Sequence, residues 1–235
     1  MRILLLHNRY RAEGGEERAV AEIAALLARR GDAVHVLERS SAEAGTLAAT
    51  RSLLWGGGQP EEVADAVRRT RAEIVHAHNV HPLFGWRALA AARAAGARTV
   101  LHLHNFRLFC AIGVSYRDGR PCFRCRGADT LPGLRLRCRG SLGEAAVYAA
   151  GLRVQQPRLY DHADRFVVLN GAHRARLQEL GLPVDGRTDV LPNFLAADRF
   201  AAATRAHQGS YALVAGRLTE EKGFDTAVAA ARAAG

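Results

Sequence analysis

Short apolar runs alternate with amphipathic stretches along most of this chain. The runs have the length of buried strands and cover residues 2–7, 33–37, 74–77, 99–103, 165–169 and 187–191. Between them, apolar residues recur at helical spacing, as Val20, Ile23 and Leu27 do before Gly31. Further helices are predicted from Pro60 onward and over residues 83–95, 142–160 and 172–180. The alternation predicts an α/β fold: a Rossmann-like parallel sheet with helices on both faces.

Two stretches interrupt this rhythm, and a third resumes it after a break. Residues 40–58 give no clear pattern beyond a glycine-rich loop at their end, and residues 105–140 form a cysteine-containing insert. After Pro192 and Asn193 a new strand is predicted over residues 211–215, followed by a helix over 224–234. We therefore expect three parts: a Rossmann-like domain over residues 1–193, a linker over 194–209 and the start of a second domain over 210–235.

The composition is that of an ordinary globular protein with an excess of arginine. Of 235 residues, 49% are hydrophobic and 24% are charged, which excludes a disordered, collagen-like or coiled-coil chain. Lys222 is the only lysine, so the formal net charge of +10 comes from arginines spread along the chain. That spread suggests a compositional bias rather than a nucleic-acid partner. The apolar run at the start is shorter than a signal-peptide core, and a cytoplasmic location is expected.

Gly14 and Gly15 stand between the first predicted strand and the first helix. Glycines at this place let a ligand approach the backbone, and the free N–H groups of the following helix suit a phosphate. A simple tight turn explains the pair equally well, since neither a full dinucleotide-binding motif nor a P-loop is present.

Two neighbouring strands end in nearly the same residues, His76-Ala77-His78-Asn79 and His102-Leu103-His104-Asn105. Ligands bind beyond the carboxyl ends of the strands in open α/β sheets, where a histidine can donate or accept a proton. We expect site roles for His78 and His104 at the tips, and a packing role for the two deeper histidines. Residues two apart share a face of a strand, so each pair could also chelate a metal.

The insert places its cysteines at Cys110, Cys122, Cys125 and Cys138. One C-x-x-C pair flanked by two single cysteines is compatible with a four-thiolate structural zinc site, with free structural thiols, or with a redox role. Further along, Arg217 and Lys222 flank the turn before the last helix. They could face a diphosphate at the start of that helix, or they could lie in a solvated turn.

Taken in order, five segments resemble the family 4 glycosyltransferases, which have the GT-B architecture of two Rossmann-like domains facing across a cleft. The first three are a Gly-Gly-x-Glu loop, a His-x-His strand and a strand that ends in His-Asn. The last two are a Pro-Asn segment between the domains and a Gly-Arg-Leu opening of the second domain that runs on to a Lys-Gly pair. In this chain they are Gly14–Glu17, Ile74–His78 after Glu73, Val100–Asn105, Val190–Asn193 and Gly216–Gly223. The insert also resembles one found in a subset of these enzymes.

The resemblance implies transfer of a sugar, with retention, from a UDP- or GDP-linked donor to an acceptor. His104 would lie beside the transferring sugar as the catalytic residue. The remaining site residues would bind donor and acceptor, with two basic residues neutralising the leaving diphosphate: Gly14, Gly15, His78, Asn105, Asn193, Arg217 and Lys222. No catalytic metal would be needed, so zinc at the cysteines would be structural.

The same resemblance implies synthesis of a cell-surface polysaccharide or glycolipid, on a sugar or lipid-linked acceptor, with peripheral contact at the inner membrane face. Because the family's second domain holds most of the nucleotide pocket, the chain as given is expected to be inactive alone. Two other functions stay open, a non-catalytic sugar- or polyanion-binding half-module that needs a partner chain and a zinc-stabilised nucleic-acid binder. The sequence names neither the donor sugar nor the acceptor.

Overall fold

The structure is a computed structural model that describes residues 1–10, 14–183, 186–196 and 209–234. Most of the predicted linker, 194–209, lies outside the described residues. The first half contains four strands and four helices: β1 (Arg2–Arg9), α1 (Gly15–Arg29), β2 (Ala33–Ser40), α2 (Thr46–Trp55), α3 (Pro60–Thr70), β3 (Ile74–Ala77), α4 (Gly85–Ala94) and β4 (Arg98–Leu103). The second half contains β5 (Tyr116–Arg117), β6 (Arg120–Pro121), α5 (Leu131–Arg135), α6 (Leu142–His162), β7 (Arg165–Val168), α7 (Gly171–Glu179), β8 (Thr188–Val190), a 3-10 turn (Glu220–Lys222) and α8 (Phe224–Ala234).

Six strands form one parallel sheet in the order β2-β1-β3-β4-β7-β8, so the predicted Rossmann-like fold is confirmed. The chain moves from β1 outward to β2 and then returns past β1 to β3. The strand order therefore reverses between β1 and β3, and in open α/β sheets this reversal marks where ligands bind.

Helices cover both faces of the sheet, and the two faces differ in chemistry. On one face, α1 packs Val20 against Ile3 and Leu5 of β1 in a small apolar cluster. The other face carries the main core, which joins residues of α3, α4, α6 and α7 to the strands and includes Phe84 and Phe166. Most of the apolar burial that stabilises the domain is therefore on this second face.

The longest helix, α6, ties the insert to the sheet domain. The Gln155 side-chain amide donates to the carbonyl of Leu53 in α2, and that of Gln156 donates to the carbonyl of Leu108 in the insert. The hydroxyl of Thr130, just before α5, donates to the carbonyl of Ala149. Among the described helices, including this one of 21 residues, none combines the length and apolar character needed to span a bilayer.

Two sequence expectations differ from the structure. Residues 46–55 form α2, which the sequence did not predict because apolar residues such as Leu47 and Trp55 lie on its exposed side. The strand predicted over residues 211–215 is wrong, because this stretch forms no strand and pairs with none of the described strands. Tyr211 and Leu213 are each 81% exposed, and an apolar run becomes a sheet strand only where another strand accepts its hydrogen bonds.

A backbone contact between two glycine turns fixes the loop that leads from β3 into α4. A Cβ added at Gly57, whose φ is +112°, would lie 1.6 Å from the carbonyl oxygen of Phe84. Gly85 faces the same contact from the other side, at φ +60°. No side chain can be accommodated there unless one of the two loops moves.

We expect the substitution Gly57→Ala to destabilise the domain by at least ~3 kcal/mol, because it combines a left-handed backbone with a backbone collision. The matched control is Gly31→Ala, whose φ of +84° is also positive but whose added Cβ would meet open space. It should cost only ~1–2 kcal/mol. Urea unfolding of both variants measures the difference, and equal losses would show that the contact between the two loops is not rigid.

Candidate functional site

A cleft of about 800 Å³ opens beyond the carboxyl ends of β1 and β4. Its walls come from the start of α1, the loop after β4, the insert and the segment around the 3-10 turn. Seven of the eight residues predicted from the sequence to catalyse transfer or to bind donor and acceptor line it: Gly14, Gly15, His104, Asn105, Asn193, Arg217 and Lys222. A second cleft of about 670 Å³, at the ends of β1 and β2, is lined by none of them.

The start of α1 is held in place by the Glu17 carboxylate. It accepts hydrogen bonds from the backbone N–H of Tyr10, at 3.1 Å, and of Gly14, at 2.8 Å. Burial raises the pKa of Glu17, but these backbone donors outweigh it and the pKa falls below its usual value. Packing does not require a glycine at position 15, since a Cβ added to Gly15 would meet no atom within 4 Å.

A second carboxylate in the cleft, Glu16, was not predicted as a site residue. It accepts a hydrogen bond from the Tyr10 hydroxyl at 2.9 Å and lies 3.3 Å from the side-chain nitrogen of Asn105. Burial raises the pKa of Glu16 to about 7, against the opposing effect of the Tyr10 hydrogen bond. Arg107 stacks on the Tyr10 ring and adds a positive charge nearby. The only signal in the sequence was the position of Glu16 directly after the glycine pair.

Histidines replace apolar residues at the top of the face that α1 covers. The register pairs Leu5 with His76, and two residues further along each strand it places His7, His78 and His102 in one row. Residues directly opposite one another in a sheet share a face. Together with His76 and His104, these histidines form a layer, called the histidine layer below. It continues the small apolar cluster of α1 with polar rings where the sheet approaches the cleft.

Ring nitrogens within the layer face one another in two pairs. His78 Nδ1 lies 2.9 Å from His104 Nε2, and His76 Nε2 lies 3.3 Å from His102 Nδ1. His78 and His102 are each only 2% exposed, and the Nε2 atoms of both have no partner among the described residues.

Burial keeps this layer of histidines uncharged at neutral pH. It lowers the pKa of His76 to about 4, of His104 to about 3 and of His102 to about 2. Burial also lowers the pKa of His78 well below its usual value, and the neighbouring rings add to the effect. Each ring is therefore a neutral hydrogen-bonding group that can also act as a metal ligand.

His78 and His104 occupy different depths, although the sequence suggested the same role for both. His104 lines the cleft, whereas His78 lies below it and meets a separate cavity of about 20 Å³. Four residues line both spaces and so connect them: Glu16, His104, Asn105 and Arg107. His78 is therefore not part of the cleft wall. It is connected to the cleft only by its contact with the ring of His104.

The segment after the predicted linker contributes the basic residues of the cleft. Arg217 makes an exposed ion pair with Glu221, at 3.3 Å, and Lys222 lies in the 3-10 turn that precedes α8. Arg217, Glu221 and Lys222 all line the cleft, as do the residues at the start of α1. A ligand in the cleft would therefore meet both cations and a helix N-terminus, which is a setting for an anion.

The four cysteines lie together but are not at metal-ligand spacing. All four line one cavity of about 20 Å³ in the insert, and none forms a disulfide. Burial raises the pKa of Cys125 to about 11, and the other three thiols add to the shift. Sulfurs around a tetrahedral zinc lie about 3.8 Å apart. Among the described His, Cys, Asp and Glu side chains, only His76, His78 and His102 bring three ligand atoms within 4.8 Å.

Solved structures with a similar fold are only distantly related to this chain. HepE from Anabaena, in complex with UDP and with UDP-glucose, shares 16% identity with TM-scores of 0.42 and 0.43. The alignments cover 83% of this chain and 44% of HepE, so the chain spans less than half of that protein. A solute-binding protein of an ABC transporter from Mycobacterium smegmatis, with glycerol bound, shares 13% identity at a TM-score of 0.31, over 76% of this chain and 69% of that one. These values are too low to assign a ligand.

The family relationship rests on the sequence as a whole. No curated protein matches the chain significantly. The model of glycosyltransferase family 4, in contrast, matches residues 13–199, which is well over half of the 235 residues. The match begins just before the glycine pair at the start of α1 and extends past β8. It therefore includes β3 and β4, whose ends carry the paired histidines, and the cysteine insert. The chain belongs to glycosyltransferase family 4.

Proposed function

We propose that this chain forms the acceptor-side half, with part of the donor side, of an enzyme that transfers a sugar from a nucleotide-linked donor to an acceptor. One observation carries the proposal. Residues from distant parts of the sequence, Gly15, His104, Asn193 and Lys222 among them, line one cleft at the reversal of strand order. A cleft at this place is where α/β sheets bind ligands.

The donor diphosphate would lie between the start of α1 and the segment that carries Arg217 and Lys222. Gly15 supports this placement, because neither a positive φ nor lack of space requires a glycine there. Its missing side chain leaves the backbone open to a ligand, and the helix N-terminus favours negative charge. The two cations would stabilise the charge that develops on the leaving diphosphate.

His104 would act on the transferring sugar as a neutral hydrogen-bonding group. Its Nε2 is engaged with His78, and its Nδ1 is buried with no partner in the described part of the chain. An unpaired ring nitrogen in a cleft wall can form a hydrogen bond with a sugar hydroxyl after a small movement of the ring. Asn105 is adjacent and is held by Glu16 and Tyr10, so two polar groups would face the sugar together.

The finer features of the reaction follow from the family rather than from the geometry of the cleft. We infer retention at the anomeric carbon, a UDP- or GDP-linked donor, and a sugar or lipid-linked acceptor of cell-surface polysaccharide or glycolipid synthesis. Peripheral contact with the inner membrane face belongs to the same inference.

We also propose that the four insert cysteines hold one structural zinc ion. Four thiols provide a complete tetrahedral ligand set, and their shared cavity of about 20 Å³ has room for a single small occupant. The sulfurs would have to move closer together on binding. Arg117, whose guanidinium lies 4.0 Å from the Cys138 sulfur, would stabilise the thiolates.

Replacing His104 with alanine should lower kcat for sugar transfer by about 100- to 1000-fold, because one oriented hydrogen-bond partner of the transition state is lost. Transfer is measured with the full gene product and a panel of UDP- and GDP-linked sugars. The control is His35→Ala, which removes an exposed histidine of β2 outside the cleft. Activity of the His104 variant within a few-fold of the control would contradict the assignment, and no turnover of any donor would contradict the proposed activity.

Replacing Glu16 with glutamine should change how stability depends on pH. The Glu16 pKa is about 7 in the folded chain, against an ordinary value of 4.5. Wild-type stability therefore gains a contribution below pH 4.5 that is lost as the pH rises to about 7. The difference in unfolding free energy between the wild type and Glu16→Gln should fall over this interval. Urea unfolding at several pH values tests this, with the exposed Glu43→Gln as control. Parallel curves would show that Glu16 is not protonated.

Protein purified without a histidine tag and without chelators should contain one sulfur-bound zinc per chain, which the double variant Cys122→Ser/Cys125→Ser should lose. Removing two of four ligands leaves a site too weak to retain the ion. Elemental analysis of both proteins gives the zinc content. Less than a tenth of an equivalent in the wild type, or equal content in both proteins, would reject the zinc site and leave four free thiols.

A further inference from the structure

A group of three histidines beneath the cleft has the arrangement of a metal site. His76 lies in β3, His78 lies one residue past its end on the same face, and His102 lies on that face of β4. One ring nitrogen of each lies within 4.8 Å of the other two. We propose that these three residues bind one divalent transition-metal ion of the zinc class. The proposal is independent of the sugar-transfer function.

The spacing of the nitrogens supports the proposal. His76 Nε2 and His102 Nδ1 are 3.3 Å apart. Two nitrogens bound at about 2.05 Å to one tetrahedral ion lie about 3.4 Å apart. A pair of neutral rings can also meet at such a distance through a hydrogen bond, but that bond does not satisfy the third ring.

An unpaired nitrogen atom is the second observation. The Nε2 atom of His78 is buried and has no partner among the described residues. An unsatisfied buried polar atom costs about 1–3 kcal/mol, so an occupant beside His78 Nε2 is favoured. A cavity of about 20 Å³, large enough for one water or one ion, borders His78 and His102 but not His76.

The chemistry of the ligands selects the ion. Neutral imidazoles suit zinc, copper and nickel, whereas magnesium and calcium require oxygen ligands. Three histidines leave one coordination position for a water or another small ligand.

Neighbouring residues supply the outer contacts that a histidine metal site needs. His78 faces the ring of His104 through its Nδ1, which leaves Nε2 for the ion and fixes the orientation of the ring. Glu17, whose carboxylate lies 3.7 Å from His7 Nε2, brings a negative charge to the same layer. That charge partly offsets a dication that the three neutral ligands cannot neutralise.

The test uses Co²⁺ as a spectroscopic substitute for zinc and compares His76→Gln and His102→Gln with the exposed His35→Gln. Binding followed by the visible d–d bands should be at least about tenfold weaker in the first two variants and unchanged in the control. The sulfur site is separated by its thiolate-to-cobalt charge-transfer band, which should be lost in Cys122→Ser/Cys125→Ser while the histidine-bound ion remains. Equal affinity in His102→Gln and His35→Gln would overturn the proposal.

A second measurement needs no substitution in the histidine layer and so does not depend on the folding of those variants. Pulsed electron paramagnetic resonance of one equivalent of Cu²⁺ bound to the Cys122→Ser/Cys125→Ser variant, with its two remaining thiols alkylated so that they cannot reduce the ion, counts the coordinated imidazoles. Three are expected, and fewer than three would overturn the proposal. Neither readout uses sugar transfer, so a failed metal site and a failed transferase assignment are distinguished.

Discussion

The parallel register of β1, β3 and β4 is the constraint on which the candidate site depends. Parallel strands end at the same edge of a sheet, so the residues that follow them converge without being near in sequence. Here the register brings His7, His78 and His102 into one row and sets Asn105 beside the start of α1. A slip of one residue would turn every one of these side chains to the opposite face.

The two faces of the sheet differ in role: one stabilises the fold, and the other carries the polar side chains of the candidate site. The main core, built on α3, α4, α6 and α7, supplies most of the apolar burial. The α1 face carries a small apolar cluster and then a layer of neutral histidines with unpaired nitrogens. Such a layer stabilises the fold poorly on its own, since buried polar atoms without partners are costly. The α1 face can bear that cost because the face that carries the main core is well packed.

The sequence predicted the architecture better than the site. The strand and helix alternation is strong because apolar runs and helical periodicity repeat, and the six strands of the sheet follow it. The strand expected over residues 211–215 failed because periodicity does not report whether a partner strand exists. The motifs shared with the family predicted the residues that line the cleft. The Glu16–Tyr10 pair and the distances between the histidine rings depend on side-chain positions across three strands, which no local sequence pattern encodes.

The contact between His78 and His104 has a consequence for the character of the cleft wall. A single proton lies between His78 Nδ1 and His104 Nε2, because each ring is neutral and only one of the two atoms can donate. If His78 donates, the other nitrogen of His104 carries a hydrogen; if His104 donates, that nitrogen offers a lone pair. The tautomer of a ring that never touches the cleft thus decides whether its neighbour gives or takes a hydrogen bond there.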